Sequence, residues 1–159
     1  MKDIRTGLGY DLHTLQEGRP FILGGIHIPA DFGPLGYSDG DALIHAICDA
    51  MIGALSLGDI GQHFPDTDPE FKGINSMILL EKTAALIKQH GYQINNIDST
   101  VILESPKISP YVDSIKESLA GVLGIETNRI SVKATTNEHV DATGEGKAIA
   151  VYASILLVK

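Results

Sequence analysis

Residues 42–57 (ALIHAICDAMIGALSL) are apolar almost all the way round a helical wheel. A helix of that kind has no broad face to give to water, so the rest of the chain must wrap it. Asp41 stands where an N-cap is expected and Gly58 ends the run. The other segments must supply the walls. Residues 5–12 and 21–28 alternate or cluster apolar residues, as two strands do, with a bend or bulge at Gly24-Gly25. The spacing of Met77, Leu80, Ala84, Leu86 and Ile87 predicts a helix over 75–89, with Gly91 just beyond it. Residues 97–103 read as a strand. Val112, Ile115, Leu119 and Val122 predict a helix over 111–123 that Gly124 stops. Strands over 130–135 and 148–158 follow, separated by the polar loop 137–147. With no internal repeat, low-complexity tract or linker, one domain is expected over residues 1–159. Its class is α+β, a sandwich with helices packed on one face of a mixed β-sheet.

Composition narrows the function. A chain of 159 residues, 43% hydrophobic, buries roughly two-thirds of the surface its unfolded form exposes, and needs no covalent staples. Cys48 is the only cysteine, so no intrachain disulfide forms and a reducing compartment suits the chain. No apolar run reaches the roughly 20 residues needed to span a bilayer, and the polar start Met1-Lys2-Asp3-Ile4-Arg5 lacks the order of a signal peptide. A cytoplasmic protein with no membrane partner is expected. The formal charge of −8, with 12 Lys and Arg residues spread along the chain, disfavours nucleic acid. It leaves room for a phosphorylated metabolite, which local cations, metals and backbone N–H groups can hold.

Asp11 and His13 lie two apart at a predicted strand end, so both side chains leave one face, and Gly7 and Gly9 allow neighbouring backbone to approach. A solvated strand end explains such a pair as well. His45 sits inside the most apolar helix, with Asp41 and Asp49 one turn away on either side. It is either a core histidine hydrogen-bonded to one of those aspartates, or the third ligand of a two-His, one-carboxylate site with an open position, oriented by Asp41 or Asp49. On these residues alone both readings stand. Further on, Thr135, Thr136 and Asn137 end a strand and Glu138 follows; hydroxyls and turn amides there can hold phosphate while Glu138 holds a magnesium-like ion. A Thr-Thr turn capped on its own backbone is the plainer account. The loops Gly58-Asp59-Ile60-Gly61 and Phe64-Pro65-Asp66-Thr67-Asp68 offer carboxylates for polyol hydroxyls, or are ordinary turns.

Together, Gly9-Tyr10-Asp11-Leu12-His13, Ser38-Asp39-Gly40-Asp41 with His45, Gly58 to Gly61, Phe64 to Asp68 and Lys133-Ala134-Thr135-Thr136-Asn137-Glu138 resemble the 2-C-methyl-D-erythritol 2,4-cyclodiphosphate synthase family, in order and spacing, from about Arg5 to the C-terminus. The resemblance implies an enzyme of the non-mevalonate isoprenoid pathway. Its substrate is the cytidine diphosphate compound 4-diphosphocytidyl-2-C-methyl-D-erythritol 2-phosphate, and its products are the cyclic diphosphate and CMP. It also implies a homotrimer with active sites between subunits. Carried over, Asp11, His13 and His45 bind zinc, Glu138 holds magnesium or manganese, and Thr136, with Thr135 and Asn137 beside it, positions phosphate. Tyr37 and Ser38 contact phosphate; Asp59, Ile60, Gly61, Phe64, Pro65, Asp66, Thr67 and Asp68 hold the erythritol and sugar portions. Leu103, Glu104, Ser105, Pro106, Lys107, Ile108 and Ser109 enclose the cytosine and α-phosphate, largely through backbone groups.

The chain departs from the family at four positions. Tyr37 stands where a His is usual before Ser-Asp-Gly-Asp; its hydroxyl donates a hydrogen bond but stays neutral near pH 7. Ala142 and Glu145 replace the usual Phe and Arg, and Lys147 an acid, along a cavity on the trimer axis that receives isoprenoid diphosphates in family members. Glu145 repels such a ligand, so loss of that site is expected. Two rival readings are a metal-dependent phosphodiesterase, in which the ions activate water, and a non-catalytic trimeric binding protein, against which the retained Asp11, His13, His45, Thr136 and Glu138 argue.

Overall fold

The computed structural model describes residues 3–159. The apolar helix forms as α1 (Ala42–Ala54), with Asp41 at its N-cap. It is wrapped as its composition requires: Leu43, Ile44, Ile47, Met51 and Ile52 are fully buried, each worth about 1.5–3 kcal/mol relative to exposure. Cys48 is buried among them, and burial pushes its thiol up to about 12, the property of filler rather than of a nucleophile.

The wall against which α1 lies is a five-stranded sheet in the order β4 (Phe32–Pro34), β1 (Ile4–Glu17), β7 (Ala148–Val158), β5 (Gln93–Ile102), β6 (Ile130–Thr135). All neighbours are antiparallel except β5 and β6, whose parallel pairing is bridged by α4 (Val112–Leu123). The sheet is therefore mixed, and the class is α+β. α3 (Ser76–Gln89) packs on the outer side of α1, and α4 packs beside α3. Residues 21–28 form two short strands, β2 (Phe21–Leu23) and β3 (Ile26–Ile28), rather than one bent strand. Gly24 and Gly25 both take positive φ, 59° and 76°, the backbone that a two-residue hairpin turn demands. The predicted helix over 42–57 is one turn shorter because Leu55 ends it before Gly58. Two four-residue helices, α2 (Ile60–His63) and α5 (Asp141–Gly144), lie in segments that read as loops.

The contact between β1 and α1 positions the site. Alternation along β1 puts Gly7, Gly9, Asp11 and His13 on the face toward α1 and turns Leu8, Tyr10 and Leu12 away. A Cβ on Gly9 would lie 1.9 Å from the carbonyl oxygen of Ala46, and one on Gly7 the same distance from that of Ala50. Helix and strand thus meet backbone to backbone. The same alternation leaves Leu8 69% exposed, with Tyr10, Leu12 and Tyr152 about half exposed beside it, so the second sheet face carries an uncovered apolar stripe. Among the described residues, no helix is long and apolar enough to cross a membrane.

Candidate functional site

Where β1 runs past the first turn of α1, ligand atoms of Asp11, His13 and His45 converge within 4.8 Å of one another. Asp11 Oδ2 lies 2.8 Å from His13 Nδ1 and 3.1 Å from His45 Nδ1, all three side chains being mostly buried. His13 Nδ1 makes no hydrogen bond of acceptable geometry to any partner despite that short approach. A buried imidazole nitrogen without a partner, aimed with a second imidazole at one carboxylate, is costly as it stands and suits a divalent cation. Burial works against charge on Asp11, but the two adjacent imidazoles outweigh it and hold its carboxyl below the usual carboxylate range. For His45, burial pulls its pKa down, yet Asp11 first, then Asp41 and Asp39, overcome this and bring it above the ordinary value.

Neither reading of the aspartates flanking His45 holds. Asp41 turns to the other side of the helix, where its carboxylate accepts from the N–H groups of Gly24 (3.0 Å), Gly25 (2.7 Å) and Ile44 (3.1 Å), tying the β2–β3 hairpin to the start of α1. Asp49 accepts from the Ile60 N–H and holds α2. His45 Nε2 instead faces the hydroxyls of Ser38 and Ser76, each at 3.0 Å. No local signal marks Ser76, which opens a helix 31 residues away; only the packing of α3 on α1 brings it to the ring.

The triad opens into a cavity of about 390 Å³ shared with Tyr37, Ser38, Ile60, Gly61, Phe64 and Asp66, all expected site residues. Phe71 and Leu79 add an apolar wall that the sequence reading missed. Asp59, Pro65, Thr67 and Asp68 lie along the same loops but do not line it. Asp59 caps α2, its carboxylate held by Gln62. The Tyr37 hydroxyl donates to the Asp68 carbonyl at 3.2 Å and so ties the 64–68 loop to the edge of the cavity.

Thr135, Thr136, Asn137 and Glu138 stand elsewhere. Thr135 pairs with Ile102, Ile102 with Ala150 and Ala150 with Leu12. This end of β6 is therefore level with the Asp11–His13–His45 triad but three strand spacings, about 14 Å, across the sheet. Around it, Glu138, His139 and Asp141 all take positive φ, 51°, 63° and 63°, a conformation that costs non-glycine residues energy. Asp141 holds the turn through the Thr143 and Gly144 N–H groups, and Asn137 is anchored by Glu104 and Asp141. The segment 103–109 starts beside it, with the Leu103 N–H donating to Thr135; Leu103 and Ile108 are core side chains, so what they offer a ligand is backbone. Ala142 and Glu145 lie in the same region, Glu145 paired with Lys147. Asp11 and His13 on β1 and the Thr135 end of β6 are thus level along the strands but separated by β7 and β5.

The chain is similar to known proteins along nearly its whole length. A 2-C-methyl-D-erythritol 2,4-cyclodiphosphate synthase of Trichlorobacter lovleyi is 50% identical over 98% of this chain and 99% of its own. The Plasmodium falciparum IspF in complex with CDP superposes with a TM-score of 0.86 at 40% identity, over 98% of this chain and 96% of that one. The bifunctional IspDF of Campylobacter jejuni superposes at 0.96 with 39% identity, covering 99% of this chain but 43% of that longer one. The YgbB family model matches residues 4–158, nearly the full length, so the ordered motifs and the fold that carries them have one explanation: the chain belongs to the YgbB family.

Proposed function

We propose that the chain is a cyclodiphosphate synthase, a phosphorus–oxygen lyase that converts 4-diphosphocytidyl-2-C-methyl-D-erythritol 2-phosphate into 2-C-methyl-D-erythritol 2,4-cyclodiphosphate and CMP. The observation that carries this reading is the convergence of Asp11, His13 and His45 at one end of a cavity large enough for a phosphorylated polyol, in a chain whose relatives bear that activity throughout. In the reaction an oxygen of the 2-phosphate bonds to the β-phosphorus while the bond from that phosphorus to the oxygen bridging to the α-phosphate breaks. CMP leaves with the electron pair, and no protein nucleophile is needed.

Asp11, His13 and His45 hold zinc in this reading, and Glu138 holds magnesium or manganese. Such ions offset the repulsion between phosphates and stabilise the leaving CMP. The protein's own groups orient the reacting ends. Ser38 and Tyr37 contact phosphate from the cavity wall, Ile60, Gly61, Phe64 and Asp66 enclose the erythritol, and Thr135 and Thr136 steady the diphosphate. The backbone of 103–109 takes the cytosine. Because the Asp11–His13–His45 triad and the Thr135 end of β6 are about 14 Å apart within one copy, a complete site is assembled from two copies. The uncovered stripe of Leu8, Tyr10, Leu12 and Tyr152 supports association through that sheet face, as a homotrimer.

Incubation with the diphosphocytidyl substrate and magnesium, followed by phosphorus NMR, tests the reading. Wild type yields cyclic diphosphate and CMP, and His45→Ala yields neither. A linear hydrolysed product would favour the phosphodiesterase reading, which the relatives do not; absence of cyclic product from the wild type overturns the proposal.

A further inference from the structure

Ser76 is fully buried, polar, and has no part in the chemistry above. We propose that Asp39 and Ser76 are positioning residues that hold the His45 ring with its Nδ1 lone pair turned toward Asp11 and His13, and so set the affinity of the site for a divalent ion. The inference rests on the metal reading of the triad.

The number of protons available around Ser76 decides the tautomer of the ring. The Ser76 hydroxyl donates to Asp39 Oδ1 at 2.5 Å, and the Ser76 backbone N–H donates to Asp39 Oδ2 at 2.8 Å. A serine hydroxyl has one proton to give. With that proton committed to the carboxylate, Ser76 Oγ meets His45 Nε2 at 3.0 Å only as an acceptor, so Nε2 must carry the N–H. The neutral ring then has its lone pair on Nδ1, which faces Asp11 Oδ2 at 3.1 Å. An ionised carboxylate also offers only lone pairs there, so the two acceptors repel unless a positive charge comes between them. His13 Nδ1, lacking a hydrogen bond, points to the same place. The ring is thus poised as a metal donor by a carboxylate–hydroxyl–imidazole chain on the side away from the ion, the arrangement that fixes histidine tautomers in metal sites.

Asp39 is itself held. Its Oδ1 also accepts from the Asp41 N–H at 3.2 Å, and its own N–H donates to the Ile74 carbonyl at 3.1 Å, clamping the 38–41 turn to the start of α3. Ser38 Oγ, 3.0 Å from Nε2, accepts from the Gly40 N–H at 3.4 Å and still has its own proton, which Ser76 Oγ can accept at 3.5 Å; the Asp39–Ser76 pair is what dictates direction.

Two substitutions separate this role from simple packing. Ser76→Ala removes the hydroxyl. Asp39→Asn keeps the shape, but its amide can donate to Ser76 Oγ, which frees the serine proton for Nε2 and drives the ring proton to Nδ1. Zinc alone, titrated into metal-free full-length protein against a chromophoric chelator, should bind about 10- to 100-fold more weakly to both variants than to wild type. Long-range proton–nitrogen spectra of the metal-free proteins at alkaline pH should show His45 as the Nε2–H tautomer in wild type and as Nδ1–H in Asp39→Asn. Variants with zinc affinity within about twofold of wild type overturn the inference alone, even if their melting temperatures fall, as does a metal-free wild type in the Nδ1–H form. A wild type that binds no zinc removes the metal reading and this inference together.

Discussion

Gly9→Ala should damage stability and metal binding together, because one backbone contact supports both. The added Cβ would sit 1.9 Å from the Ala46 carbonyl oxygen, 2.7 Å from the Ala50 nitrogen and 2.9 Å from the Ala46 carbonyl carbon. All three are backbone atoms of α1, so no side chain can swing aside. Restoring an ordinary contact requires the helix to retreat from β1 by about 1.5 Å, a gap that forfeits more than about half of the dispersion attraction along the interface. Overpacking a core commonly costs about 1–3 kcal/mol. With rigid backbone as the obstacle, about 3–5 kcal/mol is expected, against a gain of only about 0.4–1 kcal/mol from stiffening the unfolded chain. From a total of about 5–15 kcal/mol the variant still folds, with its urea midpoint well down. Ala46 directly follows His45, so the same retreat draws the ring from Asp11. A metal site tolerates about 0.2 Å in its ligand distances, and zinc affinity should fall by at least about tenfold. Urea unfolding of the metal-free protein and a zinc titration measure the two effects. A variant within about 0.5 kcal/mol of wild type, binding zinc equally well, refutes the claim that this approach is tight and sets the site.

Asp41 carries a pH signature. Burial pushes its carboxyl up to about 6, against the pull of the Gly25, Gly24 and Ile44 N–H groups. The folded state therefore holds this proton more tightly than the unfolded chain, so the contribution is full below about pH 4 and is lost as pH rises to about 6, a fall of about 3 kcal/mol. Subtracting the urea-derived stability profile of Asp41→Asn from that of wild type should isolate that fall; a flat difference refutes it. On the uncovered sheet face, Leu8→Asp should reduce a trimeric wild type to monomers in sedimentation velocity and abolish cyclic product while zinc still binds, and a monomeric, active wild type would exclude the shared site. Thermal-shift titration with geranyl and farnesyl diphosphates should give no saturable stabilisation, because Glu145 stands where a cation is expected; clear saturation by either refutes this.

The helix over 42–54 was legible because its wheel has no polar face, and the close of α4 because Gly124 adopts the left-handed backbone that a helix end requires. The pairing of Asp11 with His13 on one face follows from strand alternation alone. Residues 21–28 misled because a Gly-Gly pair serves a bulge and a hairpin turn alike, and the choice depends on what the flanking strands meet. The environment of His45 was also out of reach: helical spacing nominated Asp41 and Asp49, whereas the fold spends both on backbone N–H groups and brings Ser38 and Ser76 to the ring. Spacing along a chain determines which side chains share a face. Which groups meet across 31 residues is decided by how α3 packs on α1, and the separation of the Asp11–His13–His45 triad from Thr135 by the order of strands in the sheet.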